Sequence, residues 1–89
     1  MKIEKLGGDV FKVTISGPTK TEHKVTVTDN HYKRLTAGQV TKESLLEFSF
    51  KFLLKRELST SILSSFDINV IQNYFGEYEA EVKRWCSRL

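Results

Sequence analysis

The sequence predicts an α+β fold, in which an N-terminal antiparallel β-hairpin is packed by three to five C-terminal helices. Two segments near the N-terminus alternate between apolar and polar residues on either side of a Gly-Pro turn, whereas the rest of the chain carries apolar residues at helical spacing. A two-stranded hairpin is not stable alone in water, so helices must cover its apolar face.

The chain length indicates a single domain, residues 1–89. This length is near the lower end at which a chain buries a core without a metal or disulfides. A content of 39% hydrophobic and 28% charged residues is ordinary for a globular protein and excludes a disordered segment. The single cysteine, Cys86, cannot form an internal disulfide, and neither a signal peptide nor an apolar run of roughly 20 residues is present. We therefore expect a cytoplasmic protein that does not insert into a membrane.

The two strands are predicted over residues 10–16 and 23–29, separated by a turn at 17–20 that contains Gly17 and Pro18. Strand alternation places one set of side chains toward the core, namely Phe11, Val13, Ile15, His23, Val25 and Val27. In the hairpin, Val13 is expected opposite or diagonal to Val25.

The strongest helical pattern runs over residues 42–58, after a short helical turn at 31–35 that Asp29 or Asn30 caps and Ala37-Gly38 ends. Thr41 is the expected cap of the long helix. Its apolar residues cover about two thirds of the circumference, compared with the roughly 100° stripe of an ordinary surface helix. We therefore expect this helix either to lie at the centre of the domain or to be half covered by another subunit.

Cap residues and helical spacing in the C-terminal third of the chain predict three short helices. Ser59 and Thr60 cap the first, and Ser64 or Asp67 caps the second, over residues 68–75. The inward residues of this second helix are Ile68, Ile71, Tyr74 and Phe75. Gly76 breaks it, and residues 77–88 form a last helix, whose apolar stripe consists of Tyr78, Val82, Trp85 and Cys86.

No motif for catalysis or for metal or cofactor binding emerges from the chain. Three serines at 61, 64 and 65 lack the glycine-flanked elbow of a nucleophile and suit helix caps and turns. His23, His31 and Cys86 do not have the paired spacing of a zinc site, and no glycine-rich phosphate loop occurs. Cys86 suits an inert, buried thiol beside Trp85. We expect no catalytic, cofactor-binding or metal-binding residue, and therefore a protein that is not an enzyme.

The net charge of +3 is concentrated in residues 31–60, which carry six basic and three acidic side chains. The segments HKVTVTDNHYKRL and VTKESLLEFSFKFLLKRE, residues 23–35 and 40–57, are similar in outline to a ribbon-helix-helix repressor, in which strands pair across a dimer and enter the major groove. This chain departs from that pattern in two features. The first helix is short, and the strand at 10–16 already supplies a pairing partner for the strand at 23–29 within the same chain. In a nucleic-acid-binding protein, the expected phosphate contacts are Lys24, Lys33, Arg34, Lys51, Lys55 and Arg56.

A closer resemblance covers nearly the whole chain from about Phe11. The segments HKVTVTDNHYKRLTAGQVTKESLLEFSFKFLLKRE and SILSSFDINVIQNYFGEYEAEV together resemble a family of short, stand-alone bacterial proteins that are uncharacterised. Gly76 departs from the family pattern, which often has proline there. The resemblance implies a complete small bacterial protein and brings no activity, cofactor or site residue with it.

Three hypotheses about function follow. The leading one is a non-enzymatic accessory or interaction protein that contacts a protein partner or a second copy of itself. Its expected surface is the unburied side of helix 42–58, formed by Phe48, Phe50, Phe52 and Leu54 together with Arg56. The alternative is nucleic-acid binding through the basic residues given above. An enzyme would require a pocket that brings His23 or His31 to a serine or an acid.

Overall fold

The computed structural model describes all 89 residues. It confirms the α+β class, but the sheet is mixed and has four strands where the sequence predicted a hairpin. The strands are β1 (Lys2–Gly7), β2 (Val10–Ile15), β3 (Thr21–Thr26) and β4 (Ser65–Asp67), in the order β1-β2-β3-β4. The helices are α1 (Asp29–Thr36), α2 (Lys42–Leu54), α3 (Val70–Tyr74) and α4 (Tyr78–Ser87), and a 3₁₀ turn spans Ser59–Ser61. None of these helices is long and apolar enough to span a membrane.

The predicted hairpin is confirmed as β2 and β3, with Val13 diagonal to Val25 because Phe11 pairs with Val25. The sequence did not reveal β1, which pairs antiparallel with β2 at the edge of the sheet. This strand contributes only Ile3 to the core, and Leu6 is half exposed. Edge strands are often protected by charged side chains, so β1 lacks the apolar alternation by which strands are recognised.

The second missed strand, β4, pairs in parallel with β3, with Phe66 beside Val25. Three residues are too few for an alternating pattern to be recognised. The prediction that Ser64 or Asp67 caps the following helix is wrong, because α3 begins at Val70 with Asn69 at its N-cap position and no side-chain cap; the carboxylate of Asp67 instead accepts a hydrogen bond of 2.9 Å from the amide of Asn69 in the preceding turn. The segment before α3 is therefore a short strand followed by a turn.

The helix boundaries differ from the predictions by a few residues. The side chain of Thr28, and not Asp29 or Asn30, caps α1 by accepting from the amide of His31 at 3.3 Å, and α1 ends at Ala37 in the left-handed conformation. Thr41 caps α2 as predicted, accepting from the amide of Ser44 at 3.0 Å. The backbone is extended at Leu58, where the 3₁₀ turn begins, so α2 is shorter than the predicted 42–58.

The centre of the core is α2, which packs against both β1 and α4. One polar pair lies inside it: Ser49 donates to the carbonyl of Leu45 at 2.7 Å and accepts from the hydroxyl of Tyr78 at 2.6 Å. Burial raises the pKa of Tyr78 far above its usual range, so its hydroxyl stays protonated. Because both hydroxyl groups are satisfied, they lie in the core without an unpaired polar atom.

The predicted stripe of the last helix is confirmed for Tyr78, Val82 and Cys86, which are buried in α4. Trp85 is only partly buried, and its ring stacks on Phe48 with 4.6 Å between centroids. The joint at Gly76 is bridged by Gln72, whose amide nitrogen donates to the carbonyl of Gly76 at 2.8 Å. The side-chain oxygen of Gln72 also accepts from the amide of Glu79 at 2.9 Å, so one side chain links α3 to α4.

Candidate interaction groove

The expected interaction surface on α2 is mostly covered within the chain. Phe50 and Phe52 are 0% and 5% exposed, so the prediction that they lie on an unburied side of the helix is wrong. Phe48 is partly buried against Trp85, and Leu54 is 37% exposed. The physical reason is that α2 has neighbours on opposite sides, which bury both groups of its apolar residues.

Arg56, the polar member of that surface, covers the end of the core. Its guanidinium carbon lies 3.6 Å from the centroid of the Phe52 ring, and Nη1 donates to the carbonyl of Phe52 at 3.0 Å. Its Nε lies 3.8 Å from a carboxylate oxygen of Glu77. Cation–π stacking and these polar contacts hold the side chain against α2, so Arg56 shields Phe52 from water.

An apolar groove of about 220 Å³ lies between the end of α2 and α3, and we call it the α2–α3 groove. Eight of its ten lining residues are hydrophobic. The lining consists of Leu53, Glu57, Ser61, Ile62, Leu63, Phe66, Val70, Ile71, Tyr74 and Phe75. Most of these residues belong to the segment 61–75, which also carries part of the resemblance described above.

Short elements build this groove. After α2, the chain makes one 3₁₀ turn and a three-residue strand before the five-residue helix α3. Ile62 is 7% exposed and anchors this segment in the core, while Leu63 beside it is 47% exposed. Elements of this length cannot cover the neighbouring side of α2 completely, so a concave apolar surface remains.

His23 fixes the loop that forms one wall of the groove. It is buried in β3 as predicted, and its Nδ1 lies 2.7 Å from the carbonyl oxygen of Leu63. A carbonyl can only accept, so Nδ1 carries the proton, and Nε2 accepts from the hydroxyl of Thr21 at 3.1 Å. The imidazole therefore connects the sheet to the loop.

Exposed apolar side chains surround the groove. Tyr74 and Leu63 are 68% and 47% exposed and belong to its lining, and Leu58, 75% exposed, follows the lining residue Glu57. The prediction that Tyr74 points inward is wrong. The helix α3 ends at Tyr74, and the extended backbone of Phe75 turns the next ring toward Phe52, at 5.9 Å between centroids.

The groove contains one charged lining residue. Glu57 is partly buried beside the apolar lining and takes part in none of the ion pairs of the structure. The nearest cation in sequence, Arg56, is held by Phe52 and Glu77. An unpaired carboxylate at the edge of an apolar surface favours a ligand that carries a positive charge.

The six expected phosphate contacts do not form one surface. Arg34 donates to the carboxylate of Glu79 at 2.6 Å and to the side-chain oxygen of Asn69 at 2.7 Å, and Lys51 pairs with Glu47. Arg56 is held as described above, and Lys33 and Lys55 are exposed on the helical side. Lys24 lies on the opposite, open face of the sheet, because its neighbours His23 and Val25 point into the core.

The ribbon-helix-helix arrangement is also absent. The strand that such a dimer would pair across its axis is β3, and β3 is already paired with β2 on one side and with β4 on the other. Because β4 occupies the second edge of β3 at Lys24, Val25 and Thr26, β3 cannot pair along its whole length with a second copy of itself.

The two histidines have different polar neighbours, and neither forms a hydrogen bond to a serine. Nδ1 of His31 is 3.2 Å from a carboxylate oxygen of Asp67, without hydrogen-bond geometry, and His23 makes no hydrogen bond to a serine. No group of three or more histidine, cysteine, aspartate or glutamate side chains converges as metal ligands. Cys86 is buried as predicted, and desolvation raises the pKa of its thiol.

Comparison with protein-family models, with curated proteins and with solved structures finds no match to this chain. The resemblance to short bacterial proteins therefore stays a prediction.

Sequence reasoning missed the residues that surround the groove. Leu58 does carry a signal, since it lies between the polar residues Glu57 and Ser59, whereas Leu63 lies between the core residue Ile62 and Ser64. Isolated apolar residues between the ends of predicted elements cannot be assigned to a core face by periodicity. They become visible as a surface only when α2, β4 and α3 are placed together.

Proposed function

We propose that this protein is a non-enzymatic interaction module that binds a protein segment through the α2–α3 groove. The single observation that carries the proposal is the exposure of Leu63 and Tyr74 within a concave apolar lining. Exposed apolar surface of this kind is typical of protein-interaction sites, because burying it on binding is favourable. The one free thiol, Cys86, supports a reducing, cytoplasmic setting, and we propose a bacterial origin from the resemblance.

Peptide selection tests this proposal. Folded wild-type protein is immobilised and used to select binders from a random peptide library. The selected peptides are then measured against Ser61→Trp, which places an indole in the groove lining, and against the matched control Ser16→Trp. Ser16 is also an exposed serine, and it lies at the end of β2 outside the groove lining.

We expect the selected peptides to combine apolar residues with lysine or arginine, because Glu57 is unpaired. They should bind wild-type protein and Ser16→Trp equally, and their affinity for Ser61→Trp should fall at least about tenfold, the effect of losing one well-buried anchor. Equal binding to all three proteins would overturn the proposal, as would a selection that yields no binder from the folded protein.

The alternative function is nucleic-acid binding, and one observation favours the open face of the sheet for it. Lys24 lies directly opposite Lys12 in the register of β2 and β3. Lys12 is close to Glu4 and Glu22, whereas Lys24 is exposed and takes part in none of the ion pairs. This alternative predicts binding of a mixed DNA or RNA probe that weakens steeply with added salt and is reduced by Lys24→Gln. Absence of any binding at low salt would exclude it.

A further inference from the structure

His31 carries the one buried side-chain polar atom of the molecule that has no hydrogen-bond partner. This atom, Nδ1, lies 3.2 Å from a carboxylate oxygen of Asp67, but the contact lacks hydrogen-bond geometry. The other ring nitrogen, Nε2, is not buried and is therefore open to water. Because buried polar atoms are nearly always paired, the unpaired Nδ1 indicates that this contact has a second, bonded form.

The charge of the imidazole decides which form the contact takes. A neutral imidazole carries one proton, and when that proton is on Nε2, the lone pair of Nδ1 faces the carboxylate and repels it. An imidazolium carries a proton on both nitrogens, so Nδ1 donates to Asp67 while Nε2 donates to water. Histidine side chains in peptides take up this proton at about pH 6.5. The contact is therefore bonded in mild acid.

The other charges close to His31 are already paired. Asp67, from β4, is the one carboxylate at ion-pair distance from the ring. One turn later in α1, Arg34 donates to the carboxylate of Glu79 in α4, which neutralises its charge. Two residues before His31, Asp29 pairs with the lysine that begins α2. A proton on His31 thus has one charged partner, and this partner belongs to a different element.

Asp67 also holds the turn that leads into α3. The same oxygen that faces His31 accepts a hydrogen bond of 2.9 Å from the amide of Asn69. This turn joins Phe66 to Val70, and both of these residues line the α2–α3 groove. A carboxylate oxygen has two lone pairs and can accept from both donors. One oxygen can therefore connect α1 to a wall of the groove.

We infer that His31 and Asp67 form a pH-sensitive switch, in which protonation of the imidazole joins α1 to the turn before α3. The link stabilises the fold while the imidazole is charged and is lost as the pH rises through the range of about 5 to 8 in which histidine releases its proton. In stronger acid it is lost again, because the carboxylate becomes protonated. The switch belongs to the fold and does not rest on the proposed function of the groove.

A double-mutant cycle provides the test. Wild-type protein, His31→Asn, Asp67→Asn and the double variant are denatured with urea at about pH 5.5 and at about pH 8, on either side of the histidine range. Asparagine at position 67 keeps an oxygen that can accept from the amide of Asn69. We expect the coupling between the two positions to change the unfolding equilibrium constant about threefold at the lower pH, as for a partly exposed ion pair. At the higher pH the coupling should disappear.

A second cycle, between His31→Asn and Asp29→Asn, is the matched control. Asp29 is also an aspartate close to His31, but its partner is Lys42. This control cycle should show less than half of the pH-dependent change in coupling.

Hydrogen exchange at the amide of Asn69 gives a local measurement on the wild-type protein itself. After correction for the intrinsic effect of pH on exchange, protection of this amide should be about threefold greater at the lower pH, since the bonded Asp67 is held in place. In His31→Asn this dependence should be absent.

Equal coupling at both pH values would overturn the switch, because a neutral imidazole with its proton on Nδ1 would then bind Asp67 without taking up a charge. Absence of coupling at both pH values would also overturn it, as would protection of Asn69 in the wild-type protein that does not change with pH. None of these results bears on the proposed function, which peptide binding to wild-type protein and Ser61→Trp tests separately.

Discussion

Tyr78 and Tyr74 lie four residues apart and have opposite environments. Tyr78 is fully buried, with its hydroxyl bonded to Ser49, whereas Tyr74 is 68% exposed at the α2–α3 groove. The difference follows the lengths of the elements. The 13 residues of α2 and the 10 of α4 pack along each other and close that side of the core, whereas the three residues of β4 and five of α3 leave a recess. Short elements at the end of a long helix thus leave an apolar recess on the surface.

We call the side of the core closed by α2 and α4 the closed region, and the side formed by β4 and α3 the open region. Substitutions in these two regions should differ most in their effect on the free energy of unfolding. Phe50→Ala removes a fully buried ring and should lower the free energy of unfolding by about 3–5 kcal/mol. Leu58→Ala, on the open side, should change it by less than about 0.5 kcal/mol. Urea denaturation at low protein concentration measures both, because dilution removes any contribution from association. A large loss of stability in Leu58→Ala would show that the open region is part of the core.

Within the closed region, Ser49 and Tyr78 are expected to contribute to the free energy of unfolding because each provides a hydrogen-bond partner for the buried hydroxyl group of the other. Ser49→Ala leaves the buried Tyr78 hydroxyl without its acceptor and should cost about 1–3 kcal/mol of unfolding free energy. Adding Tyr78→Phe removes the orphaned hydroxyl, so the double variant should be more stable than the sum of the two single effects predicts. Strict additivity, measured by denaturation of all four proteins, would contradict a coupled pair.

The same division explains which features the sequence could predict. The 13-residue α2, with its Thr41 cap, and the β2–β3 hairpin have enough residues for helical or strand periodicity, and both were recognised. The edge strand β1 has charged residues at three of its six positions, and β4 has only three residues, so neither produces a pattern.

The groove could not be predicted for a related reason. Its lining comes from the end of α2, the 3₁₀ turn, β4 and α3, and the position of β4 depends on its pairing with β3, about 40 residues earlier in the chain. The sequence did indicate that α2 is too apolar for an ordinary surface helix. It could not decide whether α4 or a second subunit covers Phe50 and Phe52, and the structure shows that they are covered within the chain.

The connection between α3, in the open region, and α4, in the closed region, is expected to be stabilised by the side chain of Gln72. Gln72→Ala removes two hydrogen bonds, to Gly76 and from Glu79, and should cost about 1 kcal/mol of unfolding free energy because both bonds are near the surface. Hydrogen exchange should show faster exchange at the amide of Glu79, while the amides of β2 and β3 keep their protection. Unchanged exchange at Glu79 would show that Gly76 is held without the bridge.

The smallest effect is expected at the far end of α2, where Lys42 pairs with Asp29 at 2.7 Å and with Asp9 at 3.1 Å. The hydrogen bond from Lys42 lowers the pKa of Asp29 below its ordinary value of 3.8, and the same bond raises the pKa of Lys42 above 10.5. A lowered carboxyl pKa contributes stability above 3.8, and this contribution disappears as the pH falls through the folded-state pKa. The raised lysine pKa contributes below 10.5 and is lost as the pH rises further.

Asp29→Asn keeps the size of the side chain and removes its charge, so this variant should be slightly less stable than the wild-type protein at neutral pH. The difference should shrink toward zero as the pH falls below 3.8, since the wild-type carboxylate then becomes protonated. Urea midpoints of both proteins across an acidic pH series measure this convergence, and added salt should reduce the neutral-pH difference because the pair is exposed. A difference that stays constant through the acidic range would mean that Asp29 acts through its shape and not through its charge on Lys42.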